Sequence, residues 1–400
     1  MMTPAAEVER VGRTDPNAGE ILVLGAGIVG VMIAFRLQEE GARVTLVDAR
    51  PEVAAETSHA NGGQLSFASA GTWSGTELIS FLWRGLVHTE VRPWDLHGRS
   101  LPTAFLWSLR AHPRGVERLH ALVRLSAQEF DRLLEDSALA SLVEGRGVWA
   151  LRRHARGSAP ADLPSPVRLE RGRAVFHAGD LYGDCRRFAQ TLADRFRARG
   201  GRILLGVRVR ALVCEPSTVR VETTRGVLAA ERVVVASGLA ARVLLGPLGV
   251  RLPLFPVQGY SLTYPCSVST PRFALLDEDH KVVLTRLGDG LRVAGLLDFG
   301  RRDGEPRPRM IARLEKIARL WVPDLTSGSD PAAPWACVRA MAPGGVPFLG
   351  SVARGRVVVS VGHGHLGWTL SAASARYVSD LLAGRPPPLP PEDYAPAGRD

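Results

Sequence analysis

A glycine-rich turn near the N-terminus constrains the fold of this chain more than any other feature of its sequence. Branched apolar residues at 21–24 lead into Gly25-Ala26-Gly27-Ile28-Val29-Gly30, and apolar residues at helical spacing follow up to Gly41. A second apolar run at 44–47 then ends in Asp48. This order predicts a strand, a tight turn, a helix and a second strand, which is the unit that opens a dinucleotide-binding sheet.

Each part of this unit has a separate task toward a dinucleotide. Gly25 allows the tight turn, Gly27 lets the backbone approach a pyrophosphate, and Gly30 lets the helix pack closely on the strand. The helix N-terminus directs free N–H groups and a partial positive charge toward the phosphates. Asp48 follows Gly25 by 23 residues, where an acid that binds the ribose is expected, and its charge disfavours the 2′-phosphate of NADP. This stretch alone does not separate FAD from NAD.

An extended polar segment follows the second strand. Residues 56–66, ETSHANGGQLS, are mostly small polar residues and glycines with almost no periodicity. At this place in a dinucleotide-binding unit, such a segment can run along the cofactor and offer backbone N–H groups and the side chains of Asn61 and Gln64. The alternative is an ordinary surface loop, and the cofactor interpretation is preferred.

Two later strands also end in small residues. A strand predicted at 227–235 ends in Ala236-Ser237-Gly238, and one at 356–361 leads through Gly362-His363-Gly364-His365-Leu366-Gly367 into a helix at 368–382. Glycine at a strand end lets a ligand approach where a side chain would collide. The last helix could direct its N-terminus at a ligand that acquires negative charge, such as the N1–C2=O edge of a reduced flavin. With the opening turn, three such strand ends indicate a long cofactor across one sheet.

The rest of the chain indicates a second architecture. Period-two alternation between 252 and 297 predicts an antiparallel sheet, and helical spacing at 311–321 precedes a predicted strand at 335–341. We also predict a helix around residues 119–134, a helix from Asp184 to about Arg199, a strand at 203–213, an exposed connection at 152–173 and a proline-rich tail at 385–391 outside the fold.

Aromatic and basic residues are interleaved between residues 73 and 125. The segment holds four of the eight tryptophans, Trp73, Trp83, Trp94 and Trp107, with arginines around them. This mixture suits contact with a membrane surface, where indole rings lie at the headgroups and guanidinium groups meet anionic lipid. It also suits a helical cap packed on a substrate pocket, and core packing is the preferred interpretation.

Composition bounds the possible classes of protein. The chain has 400 residues, 46% of them hydrophobic, which is enough for two cores or for one large domain with an insertion. The net charge of +10 comes from dispersed arginines interleaved with acids, and Lys281 and Lys316 are the only lysines. A nucleic-acid binder would concentrate its basic residues, so a nucleic-acid partner is not predicted.

The cysteines and the apolar stretches indicate the compartment. Four cysteines, at 185, 214, 266 and 337, show neither CxxC nor Cys/His metal spacing, so we expect free thiols in a reducing compartment and no metal site. The N-terminus lacks a signal-peptide core, and the longest uncharged stretch, 21–35, is too short to span a bilayer. The expected location is cytoplasmic, at most resting on the inner face of the plasma membrane.

Seven segments together resemble one family. They run in the family's order along the chain: VLGAGIVG (23–30), ETSHANGGQLS (56–66), GDCRRFAQTLA (183–193), VVVASG (233–238), FPVQGYSLT (255–263), VRAMAPGGVPFLG (338–350) and VGHGHLGWTL (361–370). The chain is similar to the FAD-dependent glycine oxidase and D-amino-acid oxidase family, and within it to the small subunits of bacterial D-amino-acid dehydrogenases. The ETSxANGGQ and GHGHLGWT segments are much more specific than the opening glycines.

The resemblance implies an α/β fold with FAD as the cofactor. A Rossmann-like FAD-binding domain (20–75, 177–250 and 345–385) is expected to be interleaved with an α+β substrate domain (76–176 and 251–344) that contains the antiparallel sheet, with flexible tails at 1–19 and 386–400. The residues implied in cofactor binding are Gly25, Gly27, Ile28, Gly30, Asp48, Arg50, Ser58, Asn61, Gly63, Gln64, Val209, Ser237, Gly238, Gly364, Gly367 and Trp368.

The resemblance also implies a substrate site. In glycine-oxidase-like members an arginine on the strand before a PxGxP turn binds the substrate carboxylate, and Arg339 occupies that position. A guanidinium suits this task because two parallel hydrogen bonds fix both the charge and the orientation of a carboxylate. Arg286 is a second candidate, and His365 and Tyr260 are candidates for lining the pocket, with packing roles as the alternative.

The implied reaction is the oxidative deamination of a D-amino acid. Hydride passes from Cα to flavin N5, the imino acid hydrolyses to a 2-oxo acid and ammonia, and electrons pass to a quinone or another non-oxygen acceptor. Alternatives are the catalytic subunit of a heteromeric glycine, hydroxyproline or opine oxidase, a flavin-binding subunit of altered activity and, least favoured, an NAD dehydrogenase. The chain departs from the family at Gly344, usually an aspartate, at His59, usually a phenylalanine, and in a shorter segment at 150–178.

Overall fold

The fold is that of a computed structural model of the 400-residue chain. It describes residues 19–71, 83, 94–96, 100–111, 114–155, 163, 164, 167, 169, 172–266, 270–323, 325 and 333–397. Residues 1–18 of the predicted tail at 1–19, Trp73 and most of the predicted connection at 152–173 lie outside the described residues.

The helices and strands of the described residues are numbered along the chain. The helices are α1 (Ile28–Glu39), α2 (Ser100–Ser108), α3 (Gly115–Leu133), α4 (Ser137–Ala140), α5 (Cys185–Ala198), α6 (Ala241–Leu245), α7 (Pro308–Trp321) and α8 (Gly367–Leu382). The strands are β1 (Ile21–Leu24), β2 (Val44–Val47), β3 (Gln64–Leu65), β4 (Trp94–Leu96), β5 (Val143–Arg152), β6 (Arg173–Gly183), β7 (Arg202–Leu204), β8 (Val209–Cys214), β9 (Val219–Thr223), β10 (Gly226–Ala230), β11 (Arg232–Val235), β12 (Phe255–Pro265), β13 (Ala274–Asp277), β14 (Val282–Leu287), β15 (Gly290–Phe299), β16 (Trp335–Met341), β17 (Phe348–Val352) and β18 (Val357–Val361).

Six of the described strands form the sheet that the opening glycine turn predicts. Their order is β17-β18-β11-β1-β2-β7, and all neighbours are parallel except β17 and β18. Every residue of β1, β2 and β18 is buried, as expected for a parallel sheet covered on both faces. α1, α5 and α8 pack on one face with Val23, Leu46 and Val358 in one hydrophobic cluster. The α/β fold class is therefore confirmed.

Nine of the described strands form a second sheet. Its order is β16-β12-β15-β14-β13-β5-β6-β3, and β4 pairs with β15 off this path. The β13–β5 and β15–β4 pairs are parallel and the other pairs antiparallel, which confirms the antiparallel sheet predicted at 252–297 and extends it. Leu314, Ile317 and Trp321 of α7 pack on one face. The expected domain boundary at residue 177 falls inside β6, so residues 177–183 belong to this sheet; the rest of the two-domain division stays a proposal.

Two predicted strands are each divided in the structure. Residues 203–213 split into β7 of the parallel sheet and β8 of a small antiparallel sheet, β10-β9-β8, and residues 227–235 split into β10 and β11. After β7 the N–H groups of Gly206 and Val207 donate to the carbonyls of Arg50 and Asp48, both at 2.8 Å, and the chain then enters the small sheet at Val209. Hydrophobicity alone predicts continuous strands, since both halves are apolar.

The tryptophans of the 73–125 segment that the structure describes differ from one another. Trp94 and Trp107 are buried in a cluster with Phe255 and Phe299, which confirms core packing for these two. The indole N–H of Trp107 donates to the carbonyl of Pro253 at 2.7 Å. Trp83, in contrast, is 65% exposed. Within the described part of the chain, no helix combines the length and apolar character needed to cross a bilayer.

The predictions of an exposed connection at 152–173 and of a flexible C-terminal tail at 386–400 are partly wrong. Of the connection, Val167 and Leu169 are buried in the core of the larger sheet. Of the tail at 386–400, Tyr394 is buried against Tyr377, its hydroxyl donates to the carbonyl of Arg118 at 2.7 Å, and its own carbonyl accepts from Leu349. A proline-rich composition predicts a linker, but the buried Tyr394, the ion pair between Arg118 and Asp393 and the bridge between Arg251 and Ala397 fix this segment to the surface.

Replacement of Tyr394 by alanine tests this anchor. Removing a buried aromatic side chain leaves a cavity and is expected to lower the free energy of unfolding by about 3–5 kcal/mol. Tyr394→Phe, which removes only the hydroxyl, should cost about 1 kcal/mol. Urea unfolding measures both values, and a wild-type midpoint for Tyr394→Ala would show that the segment does not pack in solution.

Candidate active site

Three glycine-containing strand ends lie side by side at one edge of the parallel sheet. Gly25 follows β1, Ser237-Gly238 follow β11, and Gly362 follows β18, and these strands are neighbours in the order β18-β11-β1. The carboxyl ends of parallel strands meet at one edge, where open α/β sheets bind their ligands. The strand ends that we predict to carry a long cofactor are therefore adjacent.

The three glycines of the opening turn meet different surroundings. Gly25 has φ +112°, and a Cβ there would lie 2.7 Å from the carbonyl oxygen of Ala236. A Cβ on Gly30 would lie well inside 3.0 Å of the Gly25 carbonyl, so the helix can pack on the strand only without a side chain. A Cβ on Gly27 would meet only Ser58 Oγ at 3.5 Å. Gly25 and Gly30 serve the turn and the packing, and the surroundings of Gly27 leave its backbone accessible to a ligand.

Asp48 binds the turn itself. One carboxylate oxygen accepts from the N–H of Ala26 at 2.6 Å and the other from the N–H of Arg50 at 2.7 Å. Burial raises the pKa of this carboxyl, and the two backbone hydrogen bonds oppose that shift. The side chain of Arg50 pairs with Glu56 at the surface, at 2.6 Å. Asp48 therefore orders the turn, and its role toward a ribose stays a prediction.

The 56–66 segment folds back onto the opening turn. Ser58 Oγ accepts from the N–H of Ile28, in the first turn of α1, at 3.0 Å. Asn61 Oδ1 accepts from the N–H of Gly63 at 3.0 Å, and Gly63 has φ +67°, which favours glycine. The segment thus lies at the N-terminus of α1, as a segment that accompanies a cofactor should.

Three predicted cofactor residues have a buried polar atom without a hydrogen-bond partner among the described residues. They are Gln64 Nε2 on β3, Ser237 Oγ after β11 and Trp368 Nε1 in the first turn of α8. Buried polar groups are nearly always paired, and an unpaired group suggests a ligand or water. These residues fit an extended polar cofactor such as FAD.

The remaining predicted cofactor residues occupy varied positions. Gly238 has φ +56° and a Cβ there would meet nothing within 4 Å, whereas a Cβ on Gly364 would lie 2.6 Å from Met341 Sδ. Gly367 begins α8, and Val209 begins β8 in the small antiparallel sheet, where it pairs with Thr223. Their cofactor contacts stay predictions.

Arg339 is a positive charge without a partner in the described part of the chain. It lies on β16 and is half-buried, and no described residue forms a hydrogen bond or ion pair with its guanidinium. Burial lowers its pKa, but a guanidinium stays protonated in proteins. Such a group is able to bind an anion.

The charges of Arg339 and Lys281 both act on His365. Burial, and the charges of Arg339 and Lys281, lower the pKa of His365 to about 3, although its side chain keeps solvent access. The charge of Arg339 acts on His365, and the role of His365 in lining the pocket stays a prediction. Lys281 is missing from our predicted site. Two features set Lys281 apart. It is one of only two lysines in the chain, and its φ of +53° is unusual for a residue other than glycine.

The prediction that Tyr260 lines the pocket is wrong. Its hydroxyl donates to Asp298 at 2.8 Å and accepts from Gln258 at 3.1 Å, and burial raises its pKa. Its ring packs in the α7-side core, whereas Arg339 contacts the position of Gly259. Successive strand residues point to opposite faces, so Tyr260 faces away from Arg339.

Arg286 lies on the face of the larger sheet that is opposite to Arg339. On β14, Thr285 Oγ1 donates to the carbonyl of Gly62 at 2.7 Å, so the odd-numbered residues face the 56–66 segment. By alternation Arg286 points to the other face, where it lines a separate cavity of about 310 Å³ with Glu144, Tyr182 and Arg272. The expectation that Arg286 binds the substrate carboxylate is therefore not supported by its position.

Several contacts fasten the 56–66 segment to the larger sheet. Arg292 Nη1 donates to the carbonyl of Asn61 at 3.2 Å, and Thr57 Oγ1 donates to the carbonyl of Val338 at 3.4 Å. The ring of His59 stacks on that of Trp335, with centroids 4.1 Å apart. Residue 59, where the family usually has phenylalanine, thus keeps an aromatic contact. These contacts place the predicted cofactor segment against the strand that carries Arg339.

Comparison with known proteins identifies the family. A family model described as DAO, FAD dependent oxidoreductase, matches residues 20–381. The chain belongs to this family. It is 32% identical to a D-amino acid dehydrogenase of Rhizobium johnstonii, over 94% of this chain and 99% of that protein, and 34% identical to one of Methylobacterium sp., over 94% and 98%. FAD is accordingly its cofactor, and the chain is an FAD-dependent oxidoreductase.

Solved structures show the same fold. Glycine oxidase from Geobacillus kaustophilus matches with a TM-score of 0.75 at 19% identity, over 94% of this chain and 97% of that one. Iminodiacetate oxidase from Chelativorans sp. BNC1 matches with a TM-score of 0.69 at 19% identity, over 94% and 98%. Identity at this level supports the architecture of the two sheets.

A buried histidine in the turn after β18 should make the stability of the fold depend on pH. His363 is buried, its Nε2 lies 2.9 Å from Ser374 Oγ, and burial lowers its pKa from 6.5 to about 3. Below pH 6.5 the unfolded chain binds a proton that the folded chain does not. Stability is therefore full above pH 6.5 and falls as the pH decreases toward 3. From this residue alone we expect a loss of about 2 kcal/mol at pH 5.

Urea unfolding of His363→Gln at pH 7 and pH 5 measures this contribution. Glutamine keeps a polar group and does not titrate, so the difference between the two pH values should shrink by about 2 kcal/mol. His120→Gln, at an exposed position, is the matched control and should keep the wild-type difference. An unchanged pH dependence in His363→Gln would contradict the assignment.

Proposed function

We propose that this chain oxidises D-amino acids to imino acids, which hydrolyse to 2-oxo acids and ammonia. The observation that carries the proposal is the unpaired Arg339 guanidinium, beside the segment predicted to hold the cofactor. The curated relatives named D-amino acid dehydrogenase, matched over nearly their whole length, support the substrate class. An α-amino acid combines the carboxylate that Arg339 requires with a Cα–H that can be oxidised.

Arg339 would bind the substrate carboxylate through two parallel N–H···O bonds. This geometry fixes the orientation of the substrate as well as its charge, and it leaves Cα and the amine directed away from the guanidinium. The lowered pKa of His365 keeps the imidazole neutral at pH 7, so it adds no further positive charge beside the substrate amine. Loss of hydride requires the neutral form of the amine, whose lone pair assists it.

The residues near the turns after β1, β11 and β18 would hold the cofactor. Gln64, Ser237 and Trp368 have unpaired polar atoms to offer, and Ser58 and Asn61 order the backbone beside them. FAD, when bound, supplies the hydride acceptor. Each turnover removes two electrons and two protons from the amino acid. Water then adds to the C=N bond of the released imino acid, so this chemistry requires no side-chain base.

Replacement of Arg339 tests the substrate assignment. We expect Arg339→Ala to raise the KM for D-alanine by about 100-fold or more, because a charge-assisted bidentate pair is lost, and Arg339→Lys to be intermediate. Arg286→Ala is the matched control, since Arg286 lies on the opposite face, and it should keep wild-type kinetics. Steady-state kinetics with an artificial electron acceptor give both parameters. Equal KM values for Arg339→Ala and the wild type would refute the assignment.

Exposed apolar side chains and arginines lie together where α2 ends and α3 begins. Leu106, Leu109 and Val116, at the end of α2 and the start of α3, are 62%, 58% and 45% exposed, and Arg110 and Arg114 are exposed beside them. Apolar side chains among arginines favour the surface of an anionic membrane. We infer peripheral contact there, which would bring the site to a membrane-bound acceptor such as a quinone.

Vesicle binding tests the membrane contact. The wild type should sediment with phosphatidylglycerol vesicles more than with phosphatidylcholine vesicles, and the double variant Leu106→Glu, Leu109→Glu should bind at least about tenfold more weakly. Val243→Glu, at an exposed apolar position on α6, is the control and should bind like the wild type. No sedimentation of the wild type with either vesicle would rule out this proposal.

A further inference from the structure

Gly259 lies within an interior strand, where glycine is unusual. β12 has β16 on one side and β15 on the other. A glycine inside a strand weakens it and often marks a place where another group approaches the backbone closely. Unlike Gly25 and Gly364, Gly259 does not have a left-handed backbone. The missing side chain, rather than backbone freedom, is therefore the property that this position requires.

The group that approaches Gly259 is the guanidinium of Arg339. An ideal Cβ on Gly259 would lie well inside 3.0 Å of Cζ, Nη1 and Nη2 of Arg339, at equal distances from the three atoms. Equal distances show that the plane of the guanidinium, rather than one corner, faces the backbone. In the β12–β16 pair Arg339 is opposite Val257, and Gly259 is opposite Cys337, so Gly259 and Arg339 share one face of the sheet.

The sheet is irregular at the same point. The register between β12 and β15 shifts between Gln258 and Tyr260, which leaves Leu296 and Leu297 opposite Gly259. Leu296 has φ +61°, a left-handed conformation that is rare for a branched side chain. Bulges re-aim side chains and are frequent beside active sites. A bulge and a bare backbone thus coincide under Arg339.

We propose that Gly259 is a positioning residue, which holds the Arg339 guanidinium flat against the sheet and aims its N–H groups at the substrate carboxylate. This inference rests on the proposed function. A methyl group at residue 259 would occupy the place of the guanidinium and push it away from the sheet. Because the displaced group is the end of a flexible side chain, the fold should persist while the orientation of the charge is lost.

Gly259→Ala tests the proposal. We expect the KM for D-alanine, and the dissociation constant of acetate measured by the absorbance change of the bound flavin, to rise by about 10-fold to 100-fold, with flavin content unchanged. Gly179→Ala, in β6 of the same sheet, is the matched control, because a Cβ there meets only Ala68 at 3.6 Å, and it should bind acetate like the wild type.

A double-mutant cycle separates positioning from a general structural role. If Gly259 acts through Arg339, Gly259→Ala should change acetate binding by less than about twofold when Arg339 is already alanine. The double variant should also recover any thermal stability that Gly259→Ala loses, since the colliding group is gone. Wild-type affinity in Gly259→Ala, or an equal loss in both backgrounds, would overturn the positioning role alone. Failure of the wild type to bind or oxidise any amino acid would overturn the proposed function as well.

Discussion

The proposed site depends on one charge, the half-buried guanidinium of Arg339. No described carboxylate pairs with it. Removing an unpaired charge from water costs several kcal/mol, and a bound anion whose carboxylate oxygens accept from two N–H groups of the guanidinium offsets that cost. Most other arginines in the described part of the chain with buried surroundings have acceptors: Arg307 pairs with Asp298 at 2.8 Å, and Arg376 with Asp380 at 2.6 Å. Arg339 differs from these structural ion pairs.

The two sheets bring this charge to the segment predicted to bind the cofactor. The parallel sheet supplies three adjacent strand ends without bulky side chains, and the larger sheet supplies β16 with Arg339. Thr57, Thr285 and Arg292 form hydrogen bonds between the 56–66 segment and the larger sheet. A substrate bound at Arg339, as we propose, would therefore lie next to the segment that the resemblance assigns to the flavin, and the 56–66 segment would contribute to both halves of the site.

Sequence patterns predict the elements of this fold better than they predict the faces of its sheets. The glycine turn, β1, α1 and β2 follow from local spacing, because glycine geometry and helix packing are local constraints. Arg339 follows from the family resemblance.

The sequence does not predict the sheet faces of Tyr260 and Arg286. The face on which a strand residue lies depends on its register with neighbouring strands, which are distant in sequence. Gly259 acts through Arg339, which lies on another strand, so no local pattern reveals it. Tyr394 shows the same limit, since its partners, Arg118 and Tyr377, lie on two distant helices.

Anaerobic reduction of the bound flavin tests the central claim most directly. The purified flavoprotein is mixed without oxygen with D-alanine, L-alanine, glycine, hydroxyproline and ethylamine, and the visible absorbance of the oxidised flavin is followed. D-alanine should bleach the flavin fastest, and ethylamine, which has no carboxylate for Arg339 to bind, should leave it oxidised. Bleaching by ethylamine as fast as by D-alanine, or no bleaching by any amino acid, would contradict the account.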